Sequence, residues 1–338
     1  MRYIVLGGSG FVGSYTIAAL VESMANNRIE KAEIFCLDRV PNPALESLST
    51  FVPCDLLQGF DFALDSSDII IHLAARAYAP KPPLKPFGLQ ALEQYFYEVN
   101  VAGTQALLTS MLESNAHKLI YFSTDMVYGK PAYLPIDSSH NRAPFGYYGA
   151  SKVAAEDLIA KARQQGINAS IFRPRIIVGA GRYGILTKLF TLIAHSLPVP
   201  LIGDGSNCYQ MISVQDCAQA IICAIEKSFP NNAYNLGSHN PPTIKALLGD
   251  LIAQAGSKSK LIPTHSKSVK LALSVLETLG VPLMYKEQYT IADCQYIVDI
   301  SSTQAELGWN PLYSDSDMLL AAYKQYLHTK ELHKSNAL

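Results

Sequence analysis

Tyr148 and Lys152 stand four residues apart in Tyr147-Tyr-Gly-Ala-Ser-Lys152, a spacing that puts both on one face of a helix. A phenol titrates at about pH 10 and is a poor base at neutrality until a nearby cation stabilises its phenolate. Lys152 supplies such a field. Thr124, in Ser123-Thr-Asp-Met126, supplies a hydroxyl that can bind a substrate oxygen while Tyr148 exchanges the proton. Thr124, Tyr148 and Lys152 are therefore the expected catalytic residues. In isolation the pair also fits a tyrosine and a lysine meeting on a helix surface.

A second group of residues suits a dinucleotide. The apolar run Tyr3-Ile-Val-Leu6 meets glycines at 7, 8, 10 and 13 and continues into a helical segment. Glycine there allows a tight turn, lets a pyrophosphate approach bare backbone, and packs the helix on its strand. The helix N-terminus then faces the anion. Gly7, Gly10, Phe11, Val12 and Gly13 are the expected cofactor contacts of this turn. Asp38, roughly 25 residues beyond the glycines, can accept both ribose hydroxyls. A 2′-phosphate would be repelled by Asp38, with Arg39 softening the penalty, so NAD is expected over NADP. The other reading of Asp38 is an exposed strand-end turn residue. Asp55 and Leu56 close a third strand and can meet the adenine, although Asp55 also reads as a loop carboxylate. Leu73, Ala74 and Ala75 end a fourth strand in mostly small residues that a cofactor can pass closely. Ser123 ends the fifth, with Tyr148 and Lys152 completing the cofactor set. His72, inside an apolar strand, reads as a core residue.

These residues need a scaffold of alternating strands and helices. Short apolar runs at 2–6, 33–37, 50–54, 68–73, 118–123 and 169–173 alternate with helical stretches near 11–25, 88–115 and 147–166. That pattern predicts an α/β fold, a Rossmann-type doubly wound parallel sheet with helices on both faces. Open sheets of this kind bind ligands at their C-terminal edge, where Ser123 and Thr124 fall. After about residue 175 prolines accumulate, and helical patches near 243–255, 266–279 and 315–328 suggest a smaller substrate-side lobe. The expected division is a nucleotide-binding domain at 1–175, with 205–236 returning to it through Tyr234-Asn-Leu236, and a substrate-binding lobe at 176–204 and 237–338.

Composition narrows the class. The chain has 338 residues, 49% of them hydrophobic, enough for a large core. A net charge of -1 leaves no global field for nucleic acid or an anionic membrane. Six cysteines show no paired metal-ligand spacing, so no metal site is expected and the thiols read as reduced. No segment reaches the roughly 18 apolar residues of a membrane span. Glycines interrupt the N-terminal apolar run, so no secretory signal is expected there. A cytoplasmic enzyme is expected.

In sum these motifs resemble the extended short-chain dehydrogenase/reductase superfamily, in particular the NAD-dependent epimerase/dehydratase family. The matching pieces run in family order: Gly7, Gly10 and Gly13; Asp38; Asp55-Leu56; His72-Leu-Ala-Ala75; Asn100-Val-Ala-Gly-Thr104; Ser123-Thr124; Tyr148 with Lys152; Arg173-Pro174; Gly203-Asp-Gly205; Val214 with Asp216; Tyr234-Asn-Leu-Gly237; and Leu307-Gly-Trp-Asn-Pro311. The resemblance implies NAD across the sheet edge, a C-terminal domain closing over substrate, and a homodimer through helices near 88–115 and 147–166. It also implies that Lys152 binds the nicotinamide ribose. Asn100 then supports the active-site helix or a proton path, or is purely structural. Asp216 is read as a cap of the helix that follows it.

Departures from the family pattern bear on the substrate. In sugar-nucleotide 4,6-dehydratases an Asp-Glu pair follows the threonine and performs elimination, whereas this chain has Asp125-Met126, and Met126 cannot act as a base. Ile176 and Tyr209 stand where UDP-sugar epimerases carry an asparagine and an arginine that contact the diphosphate. Arg175, Arg182 and Lys188 are basic residues that could replace them, since guanidinium forks suit phosphate, or are solvated loop charges. Asp125, Met126, Arg175, Arg182 and Tyr209 form the expected substrate-binding set. The leading expectation is an NAD-dependent epimerase or ketoreductase of a nucleotide-linked sugar. A dehydrogenase of a nonnucleotide alcohol is the alternative, and a catalytically silent NAD-binding protein a distant third.

Overall fold

A computed structural model describes residues 1–78, 89–181, 183–184, 186–278, 284 and 286–335. Seven strands form one sheet: β1 (Arg2–Leu6), β2 (Glu33–Asp38), β3 (Thr50–Pro53), β4 (Ile69–His72), β5 (Lys118–Phe122), β6 (Asn168–Pro174) and, later in the chain, β10 (Ala233–Leu236). Their order is β10-β6-β5-β4-β1-β2-β3, and every pairing is parallel. The chain order reverses between β1 and β4. Ligands of open α/β sheets bind beyond the strand ends at such a reversal.

Both faces of the sheet are covered, which is why its strands are apolar throughout. Along β1, Tyr3 and Val5 pack into one core while Ile4 and Leu6 pack into the other. The first core includes α1 (Phe11–Ala25) and α6 (Val214–Glu226); the second includes α3 (Thr104–Glu113) and α4 (Tyr147–Arg163). The helix expected at 88–115 is two helices, α2 (Leu89–Tyr97) and α3, joined by a π-helical turn over Glu98–Gly103; residue 88 lies outside the described residues. Apolar periodicity runs through this turn, so the sequence pattern does not reveal the widened winding.

A third core lies beyond the sheet. It is built from β7 (Ile176–Val178), α5 (Leu186–Ala194), β8 (Val199–Ile202), β9 (Met211–Ser213), α7 (Ile244–Gln254), β11 (Leu261–Thr264) and α11 (Asp315–Ser335). β7 pairs with β9, and β8 with β11, in two small parallel sheets. Among the described residues the other α-helices are α8 (Ser266–Thr278), α9 (Lys286–Ile291) and α10 (Ser301–Leu307); residue 279 of the patch expected at 266–279 is outside the described residues. Trp309, buried beside α6, donates its indole N–H to the Asp216 carbonyl at 2.9 Å. Asp216 does not cap α6, contrary to expectation. Ser213 is the N-cap, and the Asp216 carboxylate instead accepts the backbone N–H groups of Leu312 at 2.9 Å and Tyr313 at 3.3 Å. A carboxylate in a first helical turn favours that end of the helix dipole, and this one also ties α6 to the chain leading into α11.

Candidate functional site

The glycine turn is built on close approach. Gly7 has φ +79, and a Cβ there would lie 2.7 Å from the Ala74 nitrogen. At Gly13 it would lie 2.2 Å from the Gly7 carbonyl oxygen. Larger residues at either position would push α1 off β1 and β4. Gly10 is the N-cap of α1 and offers no side-chain acceptor, so the first-turn N–H groups are left to a ligand. Asp38 ends β2 above this turn. One carboxylate oxygen accepts the Ser9 N–H at 3.1 Å and the other the Arg39 N–H at 2.8 Å. Arg39 itself is exposed.

Asp55 accepts the Leu57 N–H at 3.1 Å in a local turn, and Leu56 buries its side chain against Gly103. Leu56 therefore offers a ligand only its backbone, a restriction on the expected cofactor contact that comes from its place in the second core. A shallow cleft of about 410 Å³ adjoins the glycine turn, lined by Ser9, Gly10, Phe11, Ser14, Asn42, Ala180 and Gly181.

Phe11 also borders the main cleft, of about 820 Å³, which gathers most of the remaining candidates: Val12, Leu73, Ala75, Ser123, Thr124, Asp125, Met126, Tyr148, Lys152, Arg175 and Tyr209. Thr124 is held by its own turn, its hydroxyl accepting the Met126 N–H at 3.2 Å. α4 is pressed against that turn because residue 149 is glycine: a Cβ there would lie 2.7 Å from the Met126 carbonyl oxygen. This contact holds the start of α4 at the cleft, whose wall includes both Tyr148 and Thr124.

Lys152 is 2% exposed. Its ammonium donates to the Phe122 carbonyl at 2.7 Å and the Tyr121 phenol at 3.1 Å. Burial pushes its pKa down to about 7, and the Glu156 carboxylate one turn along α4 opposes that fall. Glu156 in turn is gripped by Arg173 through Nε at 3.0 Å and Nη2 at 2.7 Å, fastening α4 to β6. Desolvation works against the Glu156 carboxylate, but Arg173 wins and holds it below the usual range.

His72 is a core residue, as its apolar strand suggests. Its Nε2 lies 3.0 Å from the Thr104 hydroxyl, and burial, with the Lys152 charge second, pushes it down to about 3. Asn100 braces the start of α4. Its carboxamide accepts the Arg76 N–H at 2.8 Å and donates to the Arg76 carbonyl and the Ser151 hydroxyl, each at 2.9 Å.

The substrate-side candidates divide. Met126, Asp125 and Tyr209 line the cleft. Arg175 is not a solvated loop charge: it is 2% exposed, paired with Asp125, and lies 4.6 Å and 4.1 Å from the ring centroids of Tyr209 and Tyr296. Of its guanidinium, Nη1 is held by Asp125, while Nε and Nη2 are buried without a hydrogen-bond partner. Arg182 lies outside the described residues, and Lys188 is exposed on α5.

A match over residues 3–237 to the model of the NAD dependent epimerase/dehydratase family decides the chain's affiliation. The chain belongs to that family. Within it, the chain is 30% identical to the uncharacterized protein y4nG of Sinorhizobium fredii, across 96% of this chain and 78% of that one. It is 28% identical to the human dTDP-D-glucose 4,6-dehydratase, across 74% of this chain and 73% of that enzyme. The fold is similar to the crystal structure of UDP-glucuronic acid 4-epimerase from Bacillus cereus in complex with NAD, with a TM-score of 0.73, 21% identity, and coverage of 97% and 99%. The chain is thus an extended short-chain dehydrogenase/reductase enzyme with the family's Rossmann sheet. Among the described residues no helix is long and apolar enough to cross a membrane.

Some of the machinery leaves little local signal in the sequence. Glu156 lies four residues beyond Lys152, a spacing that could have flagged it, but its partner Arg173 sits on a different element. The Tyr-Lys spacing alone is also not diagnostic. Tyr326 and Lys330 repeat it on α11, with the ammonium 5.0 Å from the ring centroid and Tyr326 packed into the third core.

Proposed function

We propose that this enzyme moves a hydride between a carbinol carbon of a nucleotide-linked sugar and NAD, as an epimerase or a ketoreductase. The observation that carries the reading is the convergence of Thr124, Tyr148 and Lys152 on one cleft that continues to the glycine turn of α1. Its support also includes the family itself and the sugar-nucleotide enzymes to which the chain is similar.

The residues present fit a dinucleotide. Gly7, Gly10 and Gly13 leave room for a pyrophosphate over an uncapped helix end, and Asp38 would take the ribose hydroxyls in preference to a 2′-phosphate. Lys152 would hold the nicotinamide ribose, and the backbone of Leu73, Ala74 and Ala75 would border the ring. NAD, when bound, supplies the acceptor for the hydride that leaves the sugar carbon.

The protein's own part is proton transfer and orientation. Thr124 donates a hydrogen bond to the reacting sugar oxygen, and Tyr148 takes the hydroxyl proton as the carbon is oxidised. The buried Lys152 ammonium stabilises the Tyr148 phenolate, an effect strengthened by low local dielectric. Return of the proton from Tyr148 restores the hydroxyl in an epimerase.

Elimination of the type run by 4,6-dehydratases is disfavoured by two groups. Met126 carries no basic atom, and the Asp125 carboxylate is committed to Arg175. A second reading, a dehydrogenase of a nonnucleotide alcohol, is favoured by the same commitment of Arg175, because it leaves fewer cations for a diphosphate. Incubating NAD-loaded protein with UDP-glucose and dTDP-glucose and following the sugar by NMR tests the proposal. Inversion at one carbon or release of a keto sugar supports it. A 4-keto-6-deoxy product would restore the dehydratase, and inert nucleotide sugars would favour the alcohol dehydrogenase.

A further inference from the structure

We propose that Tyr121 of β5 is a positioning residue, which turns the Lys152 ammonium so that its remaining donor faces the cofactor. The inference rests on the reading of Lys152 given above. An ammonium has three N–H donors and no acceptor, so its orientation is set by whichever acceptors take two of them. Here those acceptors are the Phe122 carbonyl at 2.7 Å and the Tyr121 phenol at 3.1 Å, both at the C-terminal end of β5. The ammonium also sits 4.5 Å from the Tyr121 ring centroid, within reach of the attraction between a cation and the ring face. Two of three donors are thus spoken for before any ligand arrives. The third is left for a hydroxyl on the cleft side, where Lys152 lines the wall with Tyr148.

Tyr121 is itself fixed. It is fully buried, its ring meets that of His72 at 5.3 Å, and burial holds its phenol far above its ordinary range, so it stays neutral and offers Lys152 a lone pair rather than a charge. The charged and titratable groups around Lys152 are Glu156 and Tyr148 on α4, His72 on β4 and Tyr121 on β5, with Arg173 of β6 engaging Glu156. His72 is neutral throughout the working range, and Glu156 is held ionised by Arg173. Over that range Tyr121 is therefore a constant influence on Lys152, and its oxygen also engages the Thr104 hydroxyl. With one acceptor lost, the buried ammonium is less well solvated and gives up its proton at lower pH.

Calorimetric titration with NAD as a function of pH reads this without any sugar substrate, because a ligand that changes the proton affinity of Lys152 makes its own affinity bend where the free protein's lysine titrates. The wild-type bend is expected near pH 7, where burial has brought Lys152. It should vanish in Lys152→Met and move at least about one pH unit lower in Tyr121→Phe, in protein shown by circular dichroism to be folded. Tyr121→Leu gives the same reading should the phenylalanine variant not fold. An unmoved bend in a folded Tyr121 variant overturns the role of Tyr121 and leaves Lys152 intact. A bend that survives Lys152→Met, or none in the wild type, overturns the reading of Lys152 itself and this inference with it.

Discussion

Arg175 and Asp125 form an ion pair in the wall of the cleft, with 1% and 5% of their side chains exposed. Arg175 begins the chain after β6, and Asp125 follows the threonine at the end of β5, so the pair bridges the two strand ends that carry the candidate chemistry. Removing one partner strands a buried charge. Arg175→Met is expected to lower stability by about 3–5 kcal/mol, and adding Asp125→Leu to recover most of that loss, since a buried pair exchanged for apolar residues is often near neutral. Urea unfolding of the two single variants and the double variant measures the coupling. Additive losses would mean that the two side chains do not depend on each other.

Tyr148 is assigned the proton transfer. Tyr148→Phe should bind NAD as the wild type does and turn over at least about a hundredfold more slowly, the lower end of what general acid–base groups contribute. Single-turnover kinetics beside a calorimetric NAD titration separates the two effects. Unchanged turnover would remove Tyr148 from the mechanism.

Asp38 bears on the choice of dinucleotide. Its carboxylate holds the Ser9 N–H of the glycine turn at 3.1 Å. Asp38→Ala is expected to weaken NAD and relieve the repulsion of a 2′-phosphate, narrowing the preference over NADP by tenfold or more, in line with about 1.4 kcal/mol for one lost charge–charge contact. The ratio of the two dissociation constants is the measurement. A ratio equal to that of the wild type would mean that Asp38 does not face the ribose.

His72 makes acid sensitivity local. Its pKa is about 3 in the folded protein against an ordinary value of 6.5, so between those limits the unfolded chain binds more protons than the native one. Stability is therefore retained above pH 6.5 and lost as the pH falls toward 3. Between pH 6.5 and 4 the wild type should lose on the order of 3 kcal/mol more than His72→Phe. Parallel pH profiles from denaturant unfolding of the two proteins would show that His72 titrates normally.

The sheet and the glycine turn were legible in the sequence for a physical reason. Strands buried on both faces read as unbroken apolar runs, as in Ile69-Ile-Ile71, and a strand that turns directly into a helix needs glycines at fixed places. The region after β6 was less legible. β7 and β9 have three residues each, too few to show a period, and α6 lies behind a polar Ser213 cap that resembles a loop. The candidate site divides the same way. Thr124, Tyr148 and Lys152 announce themselves by type and local spacing. Arg175, Glu156 and Tyr121 acquire meaning only from partners 50, 17 and 31 residues away. Arg175 in particular looked like a spare cation for phosphate, because nothing in Arg173-Pro-Arg175 reveals that the middle of the fold closes Asp125 over it.

The central claim is that the cleft beside the NAD turn takes a nucleotide-linked sugar. Calorimetric titration of NAD-loaded protein with UDP, dTDP, GDP and CDP tests it most directly. Micromolar binding of one nucleotide, with the others much weaker, is the expected result and would name the substrate series. Failure of all four to bind would contradict the claim, and the apolar positions Ile176 and Tyr209 would then mark a pocket for an alcohol that carries no nucleotide.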